Sequence, residues 1–279
     1  MSTIVLAYSG GRASSKAIHW LAAAHSTDVV TVTLDVGQGE DLAALRARAV
    51  SYGARRAHAI DARDELVREF LMPTLASGPL GDGVYPPIDE LTRPLIARKL
   101  CEVARIEGTS VVAHASLDDS IDVSLRALSP DVTILAPARE WSVAANPPAR
   151  REQTLWGRMI SFRDGDGRPE EARPTVVAAA TEPAHLDLRF ENGLPVAVND
   201  VPMSPVELVE SLALIAGRHG VGRVENRSNG RTLVYDVPAA TVLHAARAVL
   251  GEQAGIVRLS VLNGRCTVLD PNTDVVNLA

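Results

Sequence analysis

AYSGGRASS, residues 7–15, joins a short apolar run, IVLAY (4–8), to a helical pattern that continues to about Ala24. Gly10 and Gly11 remove the Cβ where a backbone would have to approach an anion closely. The first turn of the following helix offers N–H groups without intrahelical partners and a partial positive charge. Ser9, Ser14 and Ser15 add hydroxyl donors. The segment reads as a phosphate-gripping bend between strand and helix. The same letters also suit an ordinary strand-to-helix turn with Ser14 as its N-cap, so the surrounding chain has to decide.

Outward from the bend, strand and helix alternate. DVVTVTLDV (28–36) is a buried strand, and the Gly37–Gly39 turn opens a helix from Glu40 to about Tyr52. RRAHAID (55–61) is a third strand. Helical stretches follow from Asp61 to about Leu75 and from about Leu91 to Gly108, and SVVAHA (110–115) and DVTILAP (131–137) are further strands. This rhythm predicts an α/β fold with a doubly wound parallel sheet. Such sheets take ligands at the carboxyl ends of their strands. The loops after Tyr8, Val36 and His114 should therefore share one crevice.

Residues 142–152, SVAANPPARRE, have no periodicity and carry Pro147-Pro148, the pattern of a linker. The expected domains are 1–145 and 146–279. RDGDGRPEEARP (163–174) is a turn-rich excursion. Beyond it the pattern is a less regular α+β one. HLDLRFENGLPVAV is a hairpin, and SPVELVESLALIAGRHG is a helix with Ser204 as N-cap and Pro205 in its first turn. AATVLHAARAVLG is a further helix, and GIVRLSVLNGRCTVL a hairpin around Asn263-Gly264.

The 279 residues, 46% apolar and 22% charged, suffice for sizeable cores and a polar surface. A net charge of −6 gives no overall basic footprint for nucleic acid. No apolar run reaches the ~18 residues of a membrane span, and the chain enters a strand at once, so no secretion signal is expected. Cys101 and Cys266 match no metal spacing and read as small buried hydrophobes. The expectation is a cytoplasmic protein with neither nucleic acid nor membrane as partner and no metal ligands of its own.

With VTLDVGQGED, LTRPLIARKL, APAREW, LWGR, SPVEL, GRHGVGRVENR and YDVPAATVLHAA, the bend resembles argininosuccinate synthase over nearly the whole chain, in order. That family belongs to the PP-loop ATP pyrophosphatases. The resemblance implies an N-terminal adenine nucleotide alpha hydrolase-like domain and an α+β synthetase-like domain. It also implies ATP and Mg²⁺ where the chain is catalytic: citrulline's ureido oxygen attacks the α-phosphate, pyrophosphate leaves, and the amine of aspartate displaces AMP. Carried over, it places the nucleotide against Ala7, Tyr8, Ser9, Gly10, Gly11, Ser14, Ser15, Leu34 and Ala115. An amino-acid-like substrate would meet Tyr85, Glu90, Arg93, Glu225 and Tyr235.

The departures from the family are as informative. The family bend reads Ser-Gly-Gly-Leu-Asp-Thr-Ser; here Leu is Arg12, Asp is Ala13 and Thr is Ser14. Arg12 and Lys16 add positive charge beside an anion site, where a guanidinium pairs well with phosphate. The family's Gly-rich acceptor segment is replaced by HASLDDSIDVSLRAL. There Asp119 falls near the family Asp, and Asp122 near the family Arg, an exchange that should repel a substrate carboxylate. Glu90 stands where the citrulline pocket has Ser. The family tetramer's tail has no counterpart, which leaves a homodimer as the expectation.

Arg12, Lys16 and Asp119 are thus the candidate catalytic residues. Two functions remain open: an ATP-dependent adenylating carbon–nitrogen ligase on an altered substrate, and a non-catalytic homologue that binds a ligand or a partner. A tRNA sulfur transferase would want a cysteine in the crevice, and Cys101 falls on a helix instead.

Overall fold

The computed structural model describes residues 3–76, 88–141, 149–173, 181–228, 230–251 and 253–269. The chain divides into two compact units, Met1–Ala62 with Asp89–Pro147, and Arg63–Ile88 with Pro148–Ala279. The helices are Arg12–His25 (α1), Leu42–Ser51 (α2), Arg63–Leu66 (α3), Met72–Ala76 (α4), Ile88–Ile106 (α5), Ser120–Leu128 (α6), Pro137–Trp141 (α7), Pro205–Arg218 (α8) and Pro238–Leu250 (α9).

In the first unit, Thr3–Ala7 (β1), Asp28–Asp35 (β2), Arg56–Asp61 (β3), Val111–Ala113 (β4) and Thr133–Leu135 (β5) form a parallel sheet in the order β3-β2-β1-β4-β5. Runs of β-branched residues favour strands covered on both faces, and both faces of this sheet are covered. Ile4, Leu6 and Val29 pack with Ala17, Ile18 and Leu21 of α1 and Ala49 of α2. Val5, Val30, Val32 and Val112 pack with Ala97 and Leu100 of α5 and Leu125 of α6. Strand order reverses beside β1, so β1 and β4 flank the switch point at which such sheets open a crevice.

The second unit holds two antiparallel sheets. Ala184–Glu191 (β8), Leu194–Val198 (β9), Val201–Pro202 (β10), Gly255–Leu262 (β13) and Arg265–Val268 (β14) run in the order β10-β9-β8-β13-β14. Ala149–Thr154 (β6), Gly157–Arg163 (β7), Arg223–Ser228 (β11) and Arg231–Asp236 (β12) run in the order β11-β12-β7-β6. Both expected hairpins form, the second through Asn263 and Gly264 at positive φ. Helix α8 begins with the expected cap: Ser204 Oγ accepts from the Glu207 N–H, the Glu207 carboxylate accepts from the Ser204 N–H, and Pro205 follows.

Several expectations change. Helices α3 and α4 group with the second unit, because they pack on α8 and α9. The single helix expected from Asp61 to Leu75 is broken by a wider π turn at Val67–Leu71. Residues 149–152 are not linker but the start of β6, paired with β7. Strands β6 and β11, ARREQT and RVENRS, carry one apolar residue each and lack the apolar alternation that marks a strand in sequence. Cys101 is buried, whereas Cys266 on β14 is only half-buried.

Candidate functional site

The bend after β1 is held from below and behind. Tyr8 is buried; its N–H donates to Val32 O at 2.9 Å, and its carbonyl accepts from Thr33 Oγ1 at 2.9 Å. Its hydroxyl meets Ser15 Oγ at 3.1 Å. Ser14 Oγ donates to Gly11 O at 3.1 Å and lies 3.3 Å from Ser9 Oγ. Gly11, not Ser14, is the N-cap of α1, and it has no side chain to cap with. The first amides of α1 therefore keep no capping side chain. Gly10 has φ +73°, and a Cβ there would fall 2.3 Å from Leu45 Cδ2 of α2. The left-handed backbone at Gly10 favours glycine there, and Leu45 of α2 fills the space beside it.

The candidate cations separate here. Arg12 and Ala13 are exposed at the start of α1. The Lys16 ammonium lies 4.3 Å from the centroid of the Trp141 ring on α7, so in this structure it faces an aromatic and not the bend. Trp141 in turn meets Trp20 edge-on, with centroids 5.7 Å apart. At the end of β2, Leu34 is half-buried and its carbonyl accepts from Gln38 Nε2 at 2.7 Å. Asp35 Oδ1 accepts from the Gly37 N–H at 2.8 Å. These two bonds close the turn before α2.

The loop after β4 is a charge network. His114 is buried; its Nδ1 accepts from the Ser116 N–H at 3.1 Å and its Nε2 donates to Asp122 Oδ1 at 2.7 Å. Arg139 of α7 grips the same carboxylate with both Nη atoms, each at 2.9 Å. It also donates to Asp118 O. Asp118 pairs with Arg93 of α5 at 3.2 Å. Burial lowers the pKa of His114, more than the neighbouring Asp122 raises it, and the ring is neutral near pH 7. Burial alone would raise Asp122, but hydrogen bonds from Arg139 and His114 outweigh it and hold the carboxyl below its ordinary value. Asp122 is 4% exposed. Its charge is spent inside the protein, so the expected repulsion of a substrate carboxylate by Asp122 does not arise. Asp119 sits exposed at the N-cap of α6 without a side-chain cap bond, and Ala115 is half-buried beside His114.

The substrate candidates do not all converge. Tyr85 lies outside the described residues. Glu90 is exposed in the first turn of α5, one turn before Arg93. Glu225 and Tyr235 belong to the second unit. Glu225 stands opposite Val234, and Tyr235 opposite Val224, so their side chains leave opposite faces of the sheet. Glu225 pairs with Arg168 at 2.5 Å, and Arg168 also covers the Phe162 ring. Tyr235 is buried. The sequence reading missed His114, Arg139 and Arg48 as site residues. The first two lie within quoted segments, HASLDDSIDVSLRAL and APAREW; Arg48 gave no signal, since it reads as one more charge on a solvated helix face.

Among the described residues, no group of three or more His, Cys, Asp or Glu is placed to hold a metal ion. No helix among them is long and apolar enough to cross a membrane.

A five-stranded parallel sheet whose first strand ends in a Gly-Gly bend over a helix N-terminus defines a phosphate-loop α/β domain. Residues 3–150 match the arginosuccinate synthase N-terminal HUP domain, and residues 171–270 the arginosuccinate synthase C-terminal domain. Argininosuccinate synthase of Dictyoglomus turgidum is 36% identical, with 88% of this chain and 70% of the relative covered. The enzymes of Pelotomaculum thermopropionicum (36% identical, 90% and 71% covered) and Brevibacillus brevis (37% identical, 88% and 67% covered) are similar to the same degree. The chain belongs to the argininosuccinate synthase family, a family of ATP-dependent ligases.

Proposed function

We propose that this protein binds ATP over Ser9–Ser15 and acts as an adenylating carbon–nitrogen ligase on a substrate other than the citrulline–aspartate pair. One observation carries the reading: the bend keeps a left-handed backbone that favours glycine, with Leu45 filling the space a Cβ would need, above uncapped amides of α1. That cradle suits a polyphosphate. Bound ATP supplies an α-phosphate open to in-line attack and pyrophosphate as leaving group. The chain's part is positioning and charge neutralisation. The α1 amides orient the phosphates, and Arg12, exposed at the helix start, balances their charge. Among the described residues no cluster of carboxylates is placed to hold a metal, and Mg²⁺ commonly travels with nucleotide phosphates, so magnesium is expected with the nucleotide.

The altered substrate follows from the β4 loop. Arg93 and Arg139 are committed to Asp118 and Asp122. Glu90 and Asp119 remain exposed, and they favour an amine over a second carboxylate. A homodimer is the assembly expected.

A second reading, a non-catalytic homologue, is favoured by Ala13 in place of the family carboxylate and by Lys16 lying on Trp141. Isothermal titration with ATP–Mg²⁺, followed by a pyrophosphate-release assay across a panel of amino acids and amines, separates the readings. Release with one member of the panel supports the ligase. Binding without release supports the homologue. Release that needs citrulline and aspartate together overturns the altered substrate.

A further inference from the structure

We infer that Arg48 is a positioning residue for the phosphate bend, acting through the Gly10–Gly11 peptide. The inference rests on the nucleotide-binding reading above. Arg48 stands on α2, one turn after Leu45, and its Nη1 donates to the Gly10 carbonyl at 3.1 Å across 38 residues of sequence. Leu45 packs against the same glycine. Helix α2 therefore holds the bend at two points, one apolar and one charged.

The consequence runs through peptide geometry. In a trans peptide the carbonyl and the following N–H point in opposite directions. With the Gly10 carbonyl drawn toward Arg48 on α2, the Gly11 N–H is turned away from α2. That N–H has no partner among the described residues, and Gly11 is exposed. Preorganised amides of this kind bind anions because the reorientation cost is already met. A rotated peptide would turn a carbonyl oxygen toward the phosphates, and anion binding would then meet repulsion instead of a donor. Arg48 is itself exposed and uses one donor on Gly10. Its removal leaves the core of α2, Leu45 and Ala49, untouched.

The test uses the full chain as wild type, Arg48→Met and Arg48→Lys. Each is titrated calorimetrically with ATP, inorganic pyrophosphate and adenosine, and its thermal midpoint is recorded. Arg48→Met should weaken ATP and pyrophosphate about three- to tenfold, the net scale of one solvent-exposed hydrogen bond, with adenosine binding and the midpoint unchanged. Arg48→Lys, which still places a donor near the carbonyl, should recover most of the loss. Equal weakening of all three ligands, or phosphate binding by Arg48→Met as tight as wild type, overturns the inference while the nucleotide reading stands. Wild type that takes neither ATP nor pyrophosphate overturns both.

Discussion

Two loops at the carboxyl edge of one sheet treat charge in opposite ways. The bend after β1 is uncharged in its backbone, braced by α2, and leaves donors open: Gly11 N–H, the first amides of α1, and Arg12 beside them. The loop after β4 closes on itself. Asp122 takes Arg139 and His114, and Asp118 takes Arg93. A loop that must receive an anion keeps its donors unspent, while a loop that pairs every buried charge spends its specificity on its own architecture. The family resemblance treats both loops as ligand sites. The difference between them is what moves the proposed substrate away from aspartate while ATP stays.

The largest expected effect strikes the self-paired loop. Asp122→Ala leaves Arg139 and His114 without their acceptor and should cost about 3 kcal/mol of stability, the low end for a broken buried pair. The low end applies because the Arg139 side chain is 32% exposed and water can reach it. Chemical denaturation measures the loss, and an unchanged midpoint would mean that the loop does not depend on the pair. The same network predicts a pH dependence. His114 folds with its pKa below 6.5, so the unfolded chain takes the proton first. Its contribution is complete above 6.5 and drains as pH falls toward the folded value. Asp122 adds a second loss, complete above 3.8 and drained as pH falls through its own lowered value. Thermal midpoints recorded from pH 8 downward should fall with acid in both windows. His114→Asn should make the first window shallower without abolishing it, because burial lowers His244 as well, and should narrow the second, because His114 helps hold Asp122 down.

The next effect falls on the open bend. Gly10→Ala places a methyl where Leu45 Cδ2 already is and forces an L-residue to φ +73°. The strain is about 1–3 kcal/mol, and relief would come by moving the bend off α2. Nucleotide affinity should fall at least as steeply as stability. The double variant with Leu45→Ala gives back space but not the backbone conformation, so it should restore only part of the loss. Full restoration would mean that packing alone, not the left-handed backbone, makes this position glycine.

Legibility followed periodicity and local chemistry. The parallel sheet, both hairpins and the Ser204 cap were readable because each is written in contiguous letters: β-branched runs, Asn-Gly, Ser-Pro-x-Glu. The bend was readable from SGG followed by a helix. The β4 loop was not, since its partners Arg93 and Arg139 come from helices 25 and 21 residues away from Asp118. Only packing shows whether a carboxylate such as Asp122 faces a ligand or a buried guanidinium. The four-stranded sheet was hidden for a different reason. Its outer strands are polar, and strand pairing there is carried by β7 and β12 between them.

The smallest expected effect decides whether Lys16 belongs to the open loop or to the closed one. In sequence it lies one residue past the bend, yet on a helix a residue at that offset need not face the helix end. Its ammonium rests on Trp141, whose helix also carries Arg139, so in space it sides with the self-paired region. A cation over an indole at a partly exposed site contributes about 0.5–1 kcal/mol. Lys16→Met should therefore lower stability by no more than that and leave ATP affinity within about twofold, a difference below 0.5 kcal/mol. Trp141 fluorescence should shift in the variant even without nucleotide, because the charge over the ring is gone. If instead ATP affinity drops about tenfold while the unliganded spectrum stays fixed, Lys16 leaves the indole for the phosphates on binding. The open loop would then own a cation that the unliganded fold lends to its neighbour.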